Sequence, residues 1–272
     1  MEMKSKISFL FILQAIINGA NLSTAQNLMQ DRHECRGYFK SINVQKNRDS
    51  AFDKLIAQLK DSNSSYNGFH HTQVGDKPEE QVSAIYLCPP NAQSRPICEC
   101  CLRHVVEYAV KKCPKQNEVV AWDLYESVQC MVRYSVGRKI FSVLDDWAWY
   151  CHEGNGYVKT DELEKTVDGL VSKLKEQAAE GDALRKFASG SVTYDRDEFP
   201  LHVAVQCTPD ISKEDCTKCL SKAINGIRSC TTSKRYFDGS YLSANCYVWY
   251  SHIDGLLDPP TEFNEYCNPI FY

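Results

Sequence analysis

Cys98 and Cys101, and again Cys216 and Cys219, form Cys-x2-Cys pairs. That spacing suits a zinc half-site or a dithiol redox couple. A tetrahedral zinc site needs four ligands, and these two pairs fall in separate halves of the chain. The 272 residues carry fourteen cysteines, too many for a typical cytosolic enzyme, so a structural staple is the expected use of both pairs. His70-His71 is the densest cluster among seven histidines. No Gly-x-Ser-x-Gly elbow, His-Glu-x-x-His helix or glycine-rich phosphate loop accompanies it. Asp145-Asp146 and Asp161-Glu162-Glu164 are expected to be solvated surface or helix caps, with a glycosidase-like pair of carboxylates as the alternative. The chain is therefore expected to be no enzyme and to need no cofactor or metal.

The compartment follows from the N-terminus. Lys4 and Lys6 precede an almost wholly apolar run, Ile7 to Ile17, and Ser23-Thr24-Ala25 forms a cleavage-type ending. This is the build of a secretory signal peptide, too short to span a bilayer as a helix. No later run approaches spanning length, so a soluble extracellular product is expected, without a membrane span. Net charge is −4 with no Lys/Arg stripe, which excludes nucleic acid as an expected partner. Asn63-Ser64-Ser65 is a glycosylation sequon in a polar stretch.

The cysteines also reveal a duplication. Cys35, Cys88, Cys98, Cys101, Cys113 and Cys130 precede Cys151, Cys207, Cys216, Cys219, Cys230 and Cys246 by 116, 119, 118, 118, 117 and 116 residues. Cys130-Met131-Val132-Arg133-Tyr134-Ser135 matches Cys246-Tyr247-Val248-Trp249-Tyr250-Ser251 at four of six positions. Two copies of one module of about 115 residues are implied. The join is expected between Gly137 and Asp146.

Phe52, Leu55, Ile56 and Leu59 fall at helical spacing, as do Leu163, Val167, Leu170, Val171 and Leu174, with Asp161 and Glu164 as a capping box. A second helix is expected over Cys101–Lys112 and over Ser212–Arg228, the latter capped by Ser212 with Asp215. Val82–Leu87, Leu201–Gln206 and the two Cys-x-Val-x-Tyr-Ser segments read as strands, the last pair alternating as half-buried strands do. The class is α+β, with helices on one face of an antiparallel sheet. A module of this size buries a core by itself. Disulfides would add about 2–4 kcal/mol each.

Cys207-x8-Cys216-x2-Cys219 resembles the signature of the plant ginkbilobin-homologous domain, also called the salt-stress-response/antifungal domain. The first copy departs slightly, with nine residues between Cys88 and Cys98. The tandem behind a signal peptide is similar to the plant cysteine-rich repeat secretory proteins. The resemblance divides the chain into residues 1–25 as signal peptide, 26–140 and 146–256 as the two domains, and 257–272 as a C-terminal tail. It implies two helices on a five-stranded antiparallel sheet in each module. It also implies the bridges Cys35–Cys113, Cys88–Cys98 and Cys101–Cys130, then Cys151–Cys230, Cys207–Cys216 and Cys219–Cys246. Cys100 and Cys267 are left over and are expected to bond to each other, an intermolecular bridge or two free thiols being the alternatives.

Antifungal members of that family bind mannose through an Asn after the first framework cysteine, an Arg six places before the last, and a Glu five places after it. The corresponding residues here are Arg36 and His152, Leu124 and Ser240, and Ser135 and Ser251. None matches, so that lectin activity is not expected. Trp147, Trp149 and Tyr150 lie near the join and are expected to fill the contact between copies, with a partner-binding patch as the alternative. The expected function is a secreted, non-enzymatic recognition or defence module in the apoplast. Its partner would be an extracellular protein, held against a broad face offered by the stacked sheets. A carbohydrate-binding antifungal lectin that takes a cell-wall glycan, or an extracellular enzyme, is the alternative.

Overall fold

The computed structural model describes residues 32–61, 67–88, 95–123, 130–153, 161–182, 185–193, 200–230 and 239–251, with the side chains at 152–153, 161–164 and 228–230 outside the description. The signal segment, the Asn63 sequon and Cys267 lie outside the described residues. In chain order the first module contains β1 (Arg32–Arg36), α1 (Ile42–Lys60), β2 (Phe69–Val74), β3 (Val82–Leu87), α2 (Arg95–Lys112), β4 (Glu118–Asp123) and β5 (Cys130–Val136). The second repeats the order with β6 (Tyr150–Glu153), α3 (Asp161–Ala179), β7 (Lys186–Val192), β8 (Leu201–Cys207), α4 (Lys213–Cys230), β9 (Gly239–Leu242) and β10 (Cys246–Ser251). The two antiparallel sheets have equivalent strand orders, β1-β4-β5-β3-β2 and β6-β9-β10-β8-β7. Each carries two helices. Among the described residues no helix is long and apolar enough to cross a membrane.

Local chemistry explains the elements. The Ser41 hydroxyl accepts from the Asn43 backbone N–H at 3.2 Å and caps α1. Val44, Ala51, Phe52, Leu55 and Leu59 then bury one face. Helix α2 starts at Arg95, six residues before the expected Cys101. Pro96 suits a first turn, where its missing N–H costs nothing. Cys98 then falls on the same buried face as Cys101 and Leu102. Ser212 caps α4 by accepting from the Asp215 N–H at 3.0 Å, and Glu214 and Asp215 complement the positive helix end. The box proposed for α3 rests on Asp161 and Glu164, whose side chains lie outside the described residues.

The strands correct one expectation. All of β3 and β10 is buried, and β5 is buried up to Ser135. These strands alternate between two dry environments. Val132 and Tyr134 face the helices of their own module, whereas Met131 joins a separate cluster with Val120, Trp122, Ala204, Tyr247 and Trp249. That third cluster draws on both sheets, so each sheet covers the outer face of the other. The broad exposed sheet face expected for a partner is therefore consumed by the contact between modules.

The connection Gly137–Trp149 lies in this seam. Ile140, Ala148, Phe141 and Trp147 belong to the shared cluster, as does Tyr150, while Leu144 and Trp149 pack on the second module's core. Trp147 and Trp149 would share a face in an extended chain. Ala148 between them has φ 60°, an unusual left-handed conformation for alanine. It sends one indole to each cluster.

The copies solve one helix–sheet contact in opposite ways. Ala121 pairs with Val132, and Tyr241 with Val248, so the two occupy equivalent sheet positions. Tyr108 and Gly226 are equivalent on the helices, 118 residues apart like Cys101 and Cys219. The first module thus places a large helix residue over a small strand residue, and the second does the reverse. A Cβ on Gly226 would overlap the Tyr241 ring. A Cβ on Gly169 of α3 would meet nothing within 4 Å. Gly169→Ala should therefore stabilise by about 0.5–1 kcal/mol through helix propensity. Gly226→Ala should instead destabilise by about 1–3 kcal/mol, the usual cost of overpacking. Urea denaturation checks both, and Tyr241→Ala should abolish the penalty at Gly226.

Candidate functional site

The cysteines, the strongest candidates for chemistry, are used as cross-links. The structure bonds Cys35 to Cys113, Cys88 to Cys98, Cys101 to Cys130, Cys207 to Cys216 and Cys219 to Cys246. Each described Cys-x2-Cys pair is thereby split between two bridges. Cys100 and Cys151 are also disulfide-bonded, to partners outside the described side chains, and no described cysteine is free. Two clusters have metal-like geometry, His33/Cys35/Cys113 and Cys101/Asp123/Cys130. In each, both cysteines are oxidised in one bridge, so neither supplies a thiolate ligand.

His104 Nδ1 lies 2.9 Å from Asp123 Oδ2, and that oxygen is 3.5 Å from Cys101 Sγ. The buried carboxylate orients the histidine as in a nucleophilic triad. The adjacent sulfur, however, is bonded to Cys130 and has no proton to give up. At the corresponding place in the second module, the Ser243 hydroxyl lies 3.4 Å from Cys219 Sγ.

The His70-His71 pair diverges across β2. The His71 ring stacks near Phe141, with centroids 4.5 Å apart. His70 Nε2 is buried without a hydrogen-bond partner. Burial first, then the nearby Arg95 charge, lowers the His70 pKa, and burial followed by Lys112 does the same to His33. The two rings do not converge on a reacting position.

Polar residues from several elements meet in the seam instead. Arg133 on β5 is 1% exposed. It pairs with Asp145 of the connection and donates to the Ala244 carbonyl at 3.2 Å and to Asn245 Oδ1 at 3.3 Å. Asn245 Oδ1 also accepts from the Asp145 backbone N–H at 2.8 Å. Arg138 donates to Asp145 at 2.9 Å and to Glu118 at 2.9 Å. Arg36 reaches Glu118 from β1 and lies over the Trp147 ring. Burial pushes Glu118 up, but hydrogen bonds from Arg138 and Arg36 outweigh it and leave the carboxyl below its usual range. Burial, then the Arg138 charge, draws Arg133 down to about 10, so it is still a cation at neutral pH. This chain of charges ties β1, β4, β5 and the connection to the turn before β10.

The network absorbs sequence candidates for sugar binding and acid–base work. Arg36 and Ser135 both reach Glu118. Ser240 and Ser251 are buried. Leu124 and the His152 side chain lie outside the described residues, as do the carboxylates of Asp161, Glu162 and Glu164. Asp145 is in the network. Asp146 lies apart from it, paired with Lys222, whose ammonium sits over Trp149 at 4.5 Å. Hydrogen bonding from Lys222, ahead of that from Trp149, lowers the Asp146 pKa.

Sequence reasoning did not single out Arg133, Glu118, Arg138 or Asn245. One signal was available. Arg133 stands in the repeated Cys-x-Val-x-Tyr-Ser segment where the other copy has Trp249. A charge at an apolar strand position needs a buried partner.

The salt stress response/antifungal family model matches residues 34–137 and 150–253. The chain belongs to this family. Cysteine-rich repeat secretory protein 1 of Arabidopsis thaliana is 33% identical over 204 residues, covering 74% of this chain and 57% of that protein. Cysteine-rich receptor-like protein kinase 26 of the same plant is 34% identical over 203 residues, covering 73% of this chain but 29% of the kinase. The chain thus spans little more than half of the first relative and under a third of the second. The solved tandem DUF26 ectodomain of the Arabidopsis cysteine-rich receptor-like protein PDLP8 superposes with TM-score 0.63 at 18% identity, covering 81% of this chain and 97% of that one. The two-module arrangement is therefore shared at the level of the fold. The family is cysteine-rich, and its members include secretory proteins and receptor-like proteins.

Two outcomes follow from the buried ion pair and the partly buried histidines. Asp145→Ala removes the partner of a buried cation and should cost about 3–5 kcal/mol. Adding Arg133→Met should recover much of that loss, as read by urea denaturation. His70 and His33 have folded pKa values below the free histidine value of about 6.5. Their stabilising contribution is complete above that value and is lost as pH falls through the lowered folded pKa. Unfolding midpoints should therefore drop from pH 7.5 to pH 5, and His70→Gln with His33→Gln should reduce the drop.

Proposed function

We propose that this chain is a secreted, non-enzymatic recognition module that acts in the apoplast in plant defence and binds an extracellular protein partner. The observation that supports this reading is the seam. Arg36, Ser135 and Asp145, which could bind sugar or move protons, are engaged in the charged network at the seam, and the described cysteines are cross-links. What faces outward is a helix-bearing surface on a rigid pair of modules. Such preorganisation limits the entropy lost on binding. The proposed framework includes Cys151–Cys230 and Cys100–Cys267 with the five bridges above, a glycan on Asn63, and cleavage after Ala25.

Pull-down from extracellular fluid, followed by reconstitution with the purified candidate, tests the reading. A protein should be retained by the native molecule and lost after reduction and alkylation. Binding to a glycan array that free sugar competes away would replace this reading with a lectin. Turnover lost on changing one carboxylate or histidine would replace it with an enzyme.

A further inference from the structure

Each five-stranded sheet ends on edge strands, and the equivalent edges β2 and β7 differ. The outer side of β2 is blunted. The Phe69 N–H donates to Asn67 Oδ1 at 3.1 Å, and the His71 carbonyl accepts from Gln58 Nε2 at 3.5 Å. Strand β7 pairs with β8 at every residue of Lys186–Val192, so it runs without a bulge. Among the described residues, no backbone group of residues 187–192 is bonded to anything beyond β8.

Natural edge strands are guarded by charges, proline, bulges or a covering segment. Residues 187–192 read Phe-Ala-Ser-Gly-Ser-Val, with neither charge nor proline. Lys186, the only cation in the strand, is buried, and its ammonium is tied to the Gly181 carbonyl at 2.7 Å. On the helix face, Gly190 makes room for Leu170 of α3, whose Cδ1 would stand 3.1 Å from a Cβ there. On the other face Ser189 and Ser191 are exposed, so the first module does not overhang the edge. Half-buried Leu170, Phe187 and Val192 give it apolar flanks.

An open edge of this kind accepts another extended strand, and β7 is complementary to itself. Its central residue is Ser189. A two-fold axis there pairs the whole strand antiparallel with its copy: Lys186 with Val192, Phe187 with Ser191, Ala188 with Gly190, and Ser189 with Ser189. No charge meets a like charge, and the smallest residues lie around the axis. The ends also agree. Residues 182–186 carry Arg185 and Lys186 against Asp182, whereas residues 193–199 carry Asp195, Asp197 and Glu198 against Arg196. Glu180, just before, is already paired with Lys213. Antiparallel pairing sets the basic end of one strand against the residues that lead into the acidic stretch of the other. We propose that β7 pairs with β7 of a second copy of this chain, joining two second-module sheets into one continuous sheet about a two-fold axis at Ser189. The dimer presents two helix-bearing surfaces together, whatever they bind.

Sedimentation velocity on the purified, disulfide-intact chain tests this. The native chain should dimerise reversibly at micromolar concentration. Ser189→Lys sets two ammoniums opposite each other across the axis, where like charges repel, and should weaken dimerisation at least tenfold. Ser189→Glu should do the same. Mixing the two variants in equal amounts should restore the dimer, because residue 189 meets only its own copy at the axis. Ser189 is exposed, so urea midpoints should stay at the native value, and the loss of association then reads the edge rather than folding. A native chain that stays monomeric throughout the micromolar range overturns the proposal. So does a dimer that Ser189→Lys leaves intact, or a mixture of the two variants that stays monomeric.

Discussion

Two sheets pack outer face to outer face here, and most of the remaining structure follows from that one contact. A five-stranded sheet with helices on one side leaves its other face as a large surface to be covered. In this chain each module supplies the cover for the other. Trp122, Met131 and Val120 meet Tyr247, Trp249 and Ala204 in a cluster that neither module owns. That is why the central strands are buried on both faces and why the connection is folded into the contact. Arg133 in this setting sets a constraint beyond hydrophobicity. A buried guanidinium is tolerated only when its partners are fixed, and they come from the connection and from the turn before β10. Apolar packing alone would allow small slides between sheets; the charged contact selects one register.

Duplication supplied two equivalent frames, and the copies then diverged where packing permitted it. Tyr108 over Ala121 in the first copy corresponds to Gly226 under Tyr241 in the second, a difference in both partners of a single contact. Asp123 with His104 beside one bridge corresponds to Ser243 with Lys222 beside the other. Lys222 has turned to Asp146 and Trp149. Each exchange keeps a satisfied local arrangement while changing charge. The cysteines hold the backbone in place while such exchanges occur, because a bridge constrains the chain whatever the neighbouring side chains become.

The fold was largely legible in the sequence. Cysteine intervals gave the duplication, helical periodicity placed Phe52 to Leu59 and Val167 to Leu174, and alternation placed β5 and β10. What alternation could not convey was the identity of the second dry environment. Met131 and Trp249 read equally well as an exposed apolar stripe, because the covering sheet is more than a hundred residues away in the chain. The early start of α2 was hidden because Pro96 suggests a break unless it is recognised as first-turn chemistry. For the site, the size of Trp147 and Tyr150 did point to the contact between copies, whereas Trp149 packs on the second module's own core. The ion network was not seen, since Glu118, Arg138 and Asp145 look like ordinary surface charges until Arg133 is known to be buried.

Closing the sheet faces against each other also limits where binding can occur. Arg36 and Ser135 occupy positions where antifungal relatives are expected to read a sugar, yet both contact Glu118 in the seam. To free them for a ligand, Glu118 would have to give up Arg36 and Ser135 and keep only Arg138. Each hydroxyl hydrogen bond gained in exchange is worth only about 0.5–1.5 kcal/mol net. Recognition is thereby displaced to surfaces that can be engaged without unpacking anything.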